Sequence, residues 1–317
     1  MEAAKVISGS ADCLSVTKGT VLRVCVGLTS FVCTVAFFPQ MLVGVLVLAG
    51  RNLKCPLPRA VGSIATTDTQ REMTATLKAR SRFESKDPSG LESWQTPHGR
   101  FWMPAGSVKD IFQDLGEQER NIYGFNGRGA RAGDIVLDGG ANVGVYTRKV
   151  LDAGAKTVVA IEPAPENLAC LRKTFAKEIS EGRVIVYPKG VWDKDDVLKL
   201  NVDPHNSAGD SFVIQRQGSH TVEAPLTTID KLVAELKLER VDYIKLDIEG
   251  AERRALAGAK NTLAKYHPRM AVCVYHLSDD VEAIPQAARK AWPGYRHECG
   301  PCLVNQAFIV PEVFFFF

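Results

Sequence analysis

The chain has 317 residues, 45% of them hydrophobic and 24% charged, an ordinary globular balance with room for one large domain plus extras. Its net charge of +3 is uneven: residues 1–60 carry six basic side chains against Glu2 and Asp12, a surplus of +4 that leaves −1 for the remainder. A body without net positive charge lacks the electrostatic footprint of a nucleic-acid binder, and that class of partner is set aside.

Residues 1–23 read as an N-terminal tail. From Val24 to Gly50 no charged residue occurs, a run long enough, at about 1.5 Å per residue, to cross a hydrocarbon core of roughly 30 Å. Residues 24–50 are therefore expected to be a single transmembrane anchor, kinked at Pro39-Gln40. A cleaved signal peptide is the rival, because Val47-Leu48-Ala49 resembles a cleavage site, but an h-region normally runs only about 7–15 residues. The flanking basic residues lie on both sides and do not set the orientation.

The eight cysteines suggest no disulfide framework: Cys25 and Cys33 fall in the apolar run, and Cys170 and Cys273 in helix- and strand-like stretches. Cys299-Gly-Pro-Cys302 has redox-type spacing, but a thioredoxin-like site needs it between a strand and a helix. Here it falls in what reads as a hairpin turn.

Residues 51–91, rich in Thr, Ser, Arg and Lys, read as a linker. Residues 92–133 read as a cap, with a small hairpin around His98-Gly99 and a short lead-in from Val108 to Tyr123. The main domain is placed at 134–311 and a tail at 312–317, whose FFFF has no assigned role. Within the main domain, short apolar runs alternate with helix-period segments, the pattern of parallel strands joined by helices. The runs are Ile135–Leu137, Val158–Ile161, Val184–Val186, Tyr243–Leu246 and Met270–Val274. Leu168, Leu171, Phe175 and Ile179 mark one buried helical face, and Ala255, Ala259 and Leu263 another. Residues 197–226 interrupt the rhythm with strand-like pieces, Val197–Val202 and Ser211–Ile214 among them. Two last strands, near Tyr295 and at Ala307–Val310, complete an α/β fold with a seven-stranded, mostly parallel, doubly wound sheet.

Open parallel sheets bind ligands beyond the carboxyl ends of their strands. There Asp138 is followed by the turn Gly139-Gly140-Ala141-Asn142-Val143-Gly144, and Glu162 follows the second strand, where an acid suits the hydroxyls of a ribose. The turn is one Ala away from the dinucleotide motif G-x-G-x-x-G/A, so a nicotinamide-type oxidoreductase is the alternative. Asp138 favours S-adenosylmethionine, since a carboxylate repels a pyrophosphate and attracts an ammonium and a sulfonium. Gly190-Val191-Trp192-Asp193 offers an apolar slot for adenine, with Val191 in the slot and Asp193 accepting from the exocyclic amine.

The segments DGGANVG (138–144), IEP (161–163), GVWD (190–193), TTID (227–230), YIKLDIEGAE (243–252) and VYH (274–276) resemble the FkbM family of S-adenosylmethionine-dependent methyltransferases over roughly residues 92–311. The resemblance implies the Rossmann-like class I methyltransferase fold and O-methylation of a sugar or polyketide hydroxyl. It also implies that Asp138, Gly140, Asn142, Gly144 and Glu162 hold the cofactor, with Ala141 in the same turn.

A hydroxyl acceptor benefits from a general base. His276, neutral near pH 7 at an ordinary imidazole pKa, and Asp247 are the candidates, with Glu249 beside them and Glu252 expected at the surface or as a partner of the helix N-terminal dipole. The same Asp247, Glu249 and His276 suit magnesium poorly, and no metal is expected. The expected partner is a small-molecule or glycan acceptor, and no oligomeric state is assigned. Because S-adenosylmethionine is made in the cytosol, the catalytic domain of the anchored protein is placed on that side. A non-catalytic membrane module that only binds the cofactor is the remaining alternative.

Overall fold

The computed structural model describes residues 13–14, 24–25, 41, 43–52, 54–305 and 308–317. Helix α1 (Leu57–Ala79) precedes an antiparallel sheet of β1 (Arg82–Lys86), β2 (Leu91–Thr96) and β3 (Gly99–Pro104). Helix α2 (Val108–Glu119) follows and packs Ile111, Phe112 and Leu115 with Phe101 and Met103 of that sheet. The stretch read as a linker thus contains a long helix and a strand. The inward stripe of α1 runs through Ala60, Ser63, Thr67, Gln70, Thr74 and Leu77. It keeps helical spacing with small and polar residues, so apolar periodicity does not reveal it.

The alternation then runs as expected: β4 (Ile135–Gly139), α3 (Val145–Asp152), β5 (Thr157–Ile161), α4 (Pro165–Thr174), α5 (Ala176–Ser180) and β6 (Val184–Tyr187). A side sheet of β7 (Gly190–Val191), β8 (Asp196–Val202) and β9 (His220–Thr227) comes next, in the order β8-β9-β7. Ser211–Ile214 is not a strand, since Ser211 makes only an isolated bridge to Asn201. Helix α6 (Ile229–Glu235), capped by the Thr228 hydroxyl, leads to β10 (Tyr243–Leu246), α7 (Glu252–Ala257), α8 (Lys260–Tyr266), β11 (Arg269–Cys273), α9 (Asp280–Ala291) and β12 (His297–Cys299). The hairpin β13 (Cys302–Asn305) and β14 (Phe308–Pro311) precedes the last strand, β15 (Val313–Phe316).

The main sheet has seven strands in the order β12-β15-β11-β10-β4-β5-β6, with β15 antiparallel to both β11 and β12. The FFFF stretch, read above as a tail, is this seventh strand, and Phe308–Pro311 pairs with β13 outside the sheet. Alternation explains the repeat. Phe314 and Phe316 enter the core on one face with Ile244, Leu246 and Val272; Val313 and Phe315 enter the other with Val136, Tyr243 and Ala271. A strand buried on both faces needs apolar residues at every position.

Among the described residues no helix is long and apolar enough to cross a membrane. The expected anchor, the membrane partner and the cytosolic placement that depended on it are therefore withdrawn. Residues 26–40 and 42 of that run lie outside the described residues. In the described part, Val24–Cys25 pairs with Cys13–Leu14. Val43 and Leu46 pack against Cys55, Ala60, Cys302 and Ile309, so part of the apolar signal belongs to a protein core.

Cys55 and Cys302 form a disulfide across 247 residues of sequence, with Cys299 free and 3.8 Å from the Cys302 sulfur. The bond ties the start of α1 to the hairpin before β15, a pairing that sequence spacing does not encode. Cys55→Ser is expected to lower stability by about 2–4 kcal/mol in urea denaturation under oxidising conditions. Full reduction of the wild type should bring it to the variant's midpoint; equal midpoints before reduction would remove the bond's stabilising role.

Candidate active site

A cleft of about 290 Å³ opens beyond the carboxyl ends of β4, β5 and β10, walled by α2 and by the side sheet with its loops. Its floor is set by two strands in register. Lys245 of β10 lies opposite Asp138 of β4, so both side chains leave the same face of the sheet. The Lys245 ammonium sits 3.3 Å from Asp138 and donates to the carbonyls of Gly139 and Gly140 at 3.1 and 2.7 Å. Asp138 also accepts from the Thr147 hydroxyl at 2.7 Å and has no exposed surface. Burial disfavours the charged ammonium, yet Asp138 and Asp247 hold the Lys245 pKa above its ordinary value.

This geometry changes the reading of Asp138. β4 continues one residue further, to Gly139, and strand parity turns the carboxylate under α3. The turn itself lines the cleft with Gly140, Ala141 and Asn142. Gly140 adopts φ +72°, and a Cβ there would collide with the Asp247 carbonyl, so chain packing alone requires glycine. Gly144 opens α3 and lies against the Phe175 ring, away from the cleft.

Glu162 faces the cleft, with one carboxylate oxygen accepting from the Asn142 amide at 2.9 Å and the other from the Ala164 amide at 2.9 Å. Burial pushes its pKa up to about 6 against these hydrogen bonds. Gly190 and Val191 join Ile161, Leu200 and Phe212 in an apolar wall. Asp193 does not reach it; its carboxylate pairs with Arg254 at 2.6 Å. The acid on that wall is Asp210, which burial raises to about 8.

The opposite wall is α2. Asp110, Asp114 and Glu117 recur at helical spacing and line the cleft, while Ile111, Phe112 and Leu115 face the core. The period is visible in the sequence, but a short lead-in segment did not single it out. Burial and the nearby Asp247 raise Asp114 to about 7. Tyr123 also lines the cleft and donates its hydroxyl to Asp247 Oδ2 at 2.6 Å.

Asp247 and Glu249 line the cleft as expected, and His276 lies behind them with its side chain 3% exposed. Its Nδ1 is 2.9 Å from Glu252, and its Nε2 faces Asp247 and Glu249 at 3.5 and 3.4 Å. Burial lowers the imidazole pKa, but the surrounding carboxylates raise it well above the ordinary value. His276 is thus a ring buried against three carboxylates behind the cleft, not a side chain open to it as a proton acceptor was expected to be.

The FkbM methyltransferase domain model matches residues 138–295. The 31-O-demethyl-FK506 methyltransferase FkbM of Streptomyces tacrolimicus is 26% identical over 201 residues, covering 54% of this chain and 76% of that protein. The 2-O-methyltransferase NoeI of Sinorhizobium fredii (strain NBRC 101917 / NGR234) is 28% identical over 149 residues, 41% of this chain and 59% of that one. The solved methyltransferase FkbM from Methylobacillus flagellatus KT is 18% identical with a TM-score of 0.45, covering 67% of this chain and 55% of that one.

Two outcomes follow from the charges in the cleft. Lys245→Met strands a buried carboxylate and should cost about 3–5 kcal/mol in urea denaturation. Adding Asp138→Asn should restore most of it; no recovery in the double variant would show that the pair is not the cause. Asp114 stabilises the fold fully below its unfolded pKa near 3.8, and that contribution is lost as pH rises through about 7. Ligand-free protein should therefore lose stability between about pH 5 and pH 7, and Asp114→Asn should flatten the profile.

Proposed function

This chain belongs to the FkbM family of methyltransferases, and from that premise we propose that it moves a methyl group from S-adenosylmethionine to a hydroxyl of a small-molecule or carbohydrate-like acceptor. The observation that carries the reading is the charge of the cleft. Asp110, Asp114, Glu117, Glu162, Asp210, Asp247 and Glu249 line it, against one ammonium, Lys245, which Asp138 and two main-chain carbonyls already engage. A donor bearing an ammonium and a sulfonium is attracted there, whereas a nicotinamide dinucleotide would bring a pyrophosphate into a field of its own sign.

The lining fits the cationic donor: Glu162 faces the cleft and presents a fixed carboxylate at the strand end where ribose hydroxyls are expected. When bound, S-adenosylmethionine supplies a methyl group activated by its sulfonium for in-line displacement. Gly140, Ala141, Asn142 and Glu162 bind the cofactor, the wall of Ile161, Val191, Leu200 and Phe212 takes the adenine, and Asp210 replaces Asp193 as acceptor of its amine. Asp138 and Gly144 support the turn from behind.

Asp247 and Glu249 orient the acceptor. Asp114, with a pKa near neutrality, receives the hydroxyl proton as the oxygen–carbon bond forms and the carbon–sulfur bond breaks. Enclosure between α2 and the side sheet limits water at the reacting carbon. The names of the two relatives support oxygen as the accepting atom. The catalytic unit of this reading runs from α1 through β15.

Calorimetry should show S-adenosylmethionine binding to the full chain, with Glu162→Ala weakening it about tenfold or more. Asp114→Asn should lower methyl transfer into hydroxyl-bearing extracts by about 10²–10⁴-fold with cofactor affinity changed only a few-fold. Binding of a nicotinamide dinucleotide with S-adenosylmethionine inert would overturn the proposal, and binding without turnover on any extract would favour a non-catalytic module.

A further inference from the structure

Three side chains, two lining the cleft and one behind them, each have one polar atom held from outside and one left facing the others. The Tyr123 hydroxyl donates to Asp247 Oδ2 at 2.6 Å, leaving Oδ1 without a hydrogen-bond partner. Arg216 donates to Glu249 Oε2 at 2.6 Å, leaving Oε1. Glu252, wholly buried, engages His276 Nδ1 at 2.9 Å, leaving Nε2 buried and unpartnered. The remaining atoms converge: Nε2 lies 3.5 Å from Asp247 Oδ1 and 3.4 Å from Glu249 Oε1. One ligand atom from each of these residues falls within 4.8 Å of the others.

We infer that Asp247 Oδ1, Glu249 Oε1 and His276 Nε2 bind a single first-row divalent cation of the manganese or zinc type. Ligands held at about 2.1 Å in tetrahedral geometry are about 3.4 Å apart, close to the two separations measured from Nε2. The carboxylate–imidazole contact through Glu252 is the outer arrangement that fixes the ring of a metal-bound histidine and leaves the far nitrogen for the ion. The buried Nε2, an unpartnered group in a side chain 3% exposed, distinguishes this cluster from a mere gathering of acids. Imidazole with two carboxylates suits manganese or zinc better than magnesium or calcium. Asp247 and Glu249 line the cleft, so the ion's open positions face it. On the methyl-transfer reading, an ion held by Asp247, Glu249 and His276 would ease loss of the acceptor's hydroxyl proton, and Asp114 would be the group that takes it.

The test uses the full chain after treatment with a chelator. Manganese is titrated while the free ion is followed by paramagnetic resonance, zinc binding is measured by calorimetry, and S-adenosylmethionine binding is measured separately in the absence of metal. One tight ion per chain is expected for either metal. Glu252→Gln should weaken it about 10–100-fold, and His276→Ala should abolish it. Should His276→Ala fail to fold, Glu249→Gln serves in its place, with an expected loss of at least tenfold. Absence of a manganese or zinc site in a wild type that still binds S-adenosylmethionine would overturn this inference alone. Undiminished metal affinity in the folded variants would overturn it equally. Failure to bind S-adenosylmethionine would instead count against the methyl-transfer reading.

Discussion

The contact between Asp138 and Lys245 organises the middle of this protein. Two neighbouring strands place opposite charges side by side on one face, with Asp138 wholly buried and Lys245 nearly so at the floor of the cleft. Such a pair gains little over an apolar substitute, but it is intolerant of losing either member. Lys245 also reaches two carbonyls at the end of β4, so it fixes where that strand stops and how the glycine turn leaves it. The cleft exists because this junction holds the ends of β4 and β10 together.

Around that junction the protein concentrates negative charge from separate parts of the chain. Helix α2 contributes acids from one side, the loop after β8 contributes Asp210, and the strand ends contribute Glu162, Asp247 and Glu249. Burial raises several of these groups toward neutrality, which makes the cleft sensitive to whatever positive charge enters it. A cationic methyl donor and, on the inference above, a metal ion would each relieve part of the same repulsion. Function and folding therefore pull in opposite directions at these side chains, as is common at active sites.

Much of this was legible in the residues. The alternation of apolar runs with helical faces identified the parallel core, and the strand ends pointed to the turn and to Glu162, Asp247 and Glu249. Other features were hidden for definable reasons. Asp138 stands at the expected place, but one further strand residue turns its side chain inward. Helix α1 buries small and polar residues, which leaves no apolar period to detect. The apolar run before it looked like a membrane span, although Val43 and Leu46 find protein partners far away in sequence. Asp114, Tyr123 and Asp210 come to the cleft through tertiary packing, as does the bond between Cys55 and Cys302. Periodicity and local spacing cannot report such meetings.

The position of β15 has a consequence for assembly. It comes after the other six strands of the main sheet in sequence, yet it lies inside that sheet, wedged between β11 and β12. Until it is available, β11 presents an unpaired hydrogen-bonding edge, and β12 has no place in the sheet. Such edges are templates for the wrong partner. The order of synthesis and the order of space are thus at odds, and the sheet keeps an open seam beside β11 until Val313–Phe316 has been made.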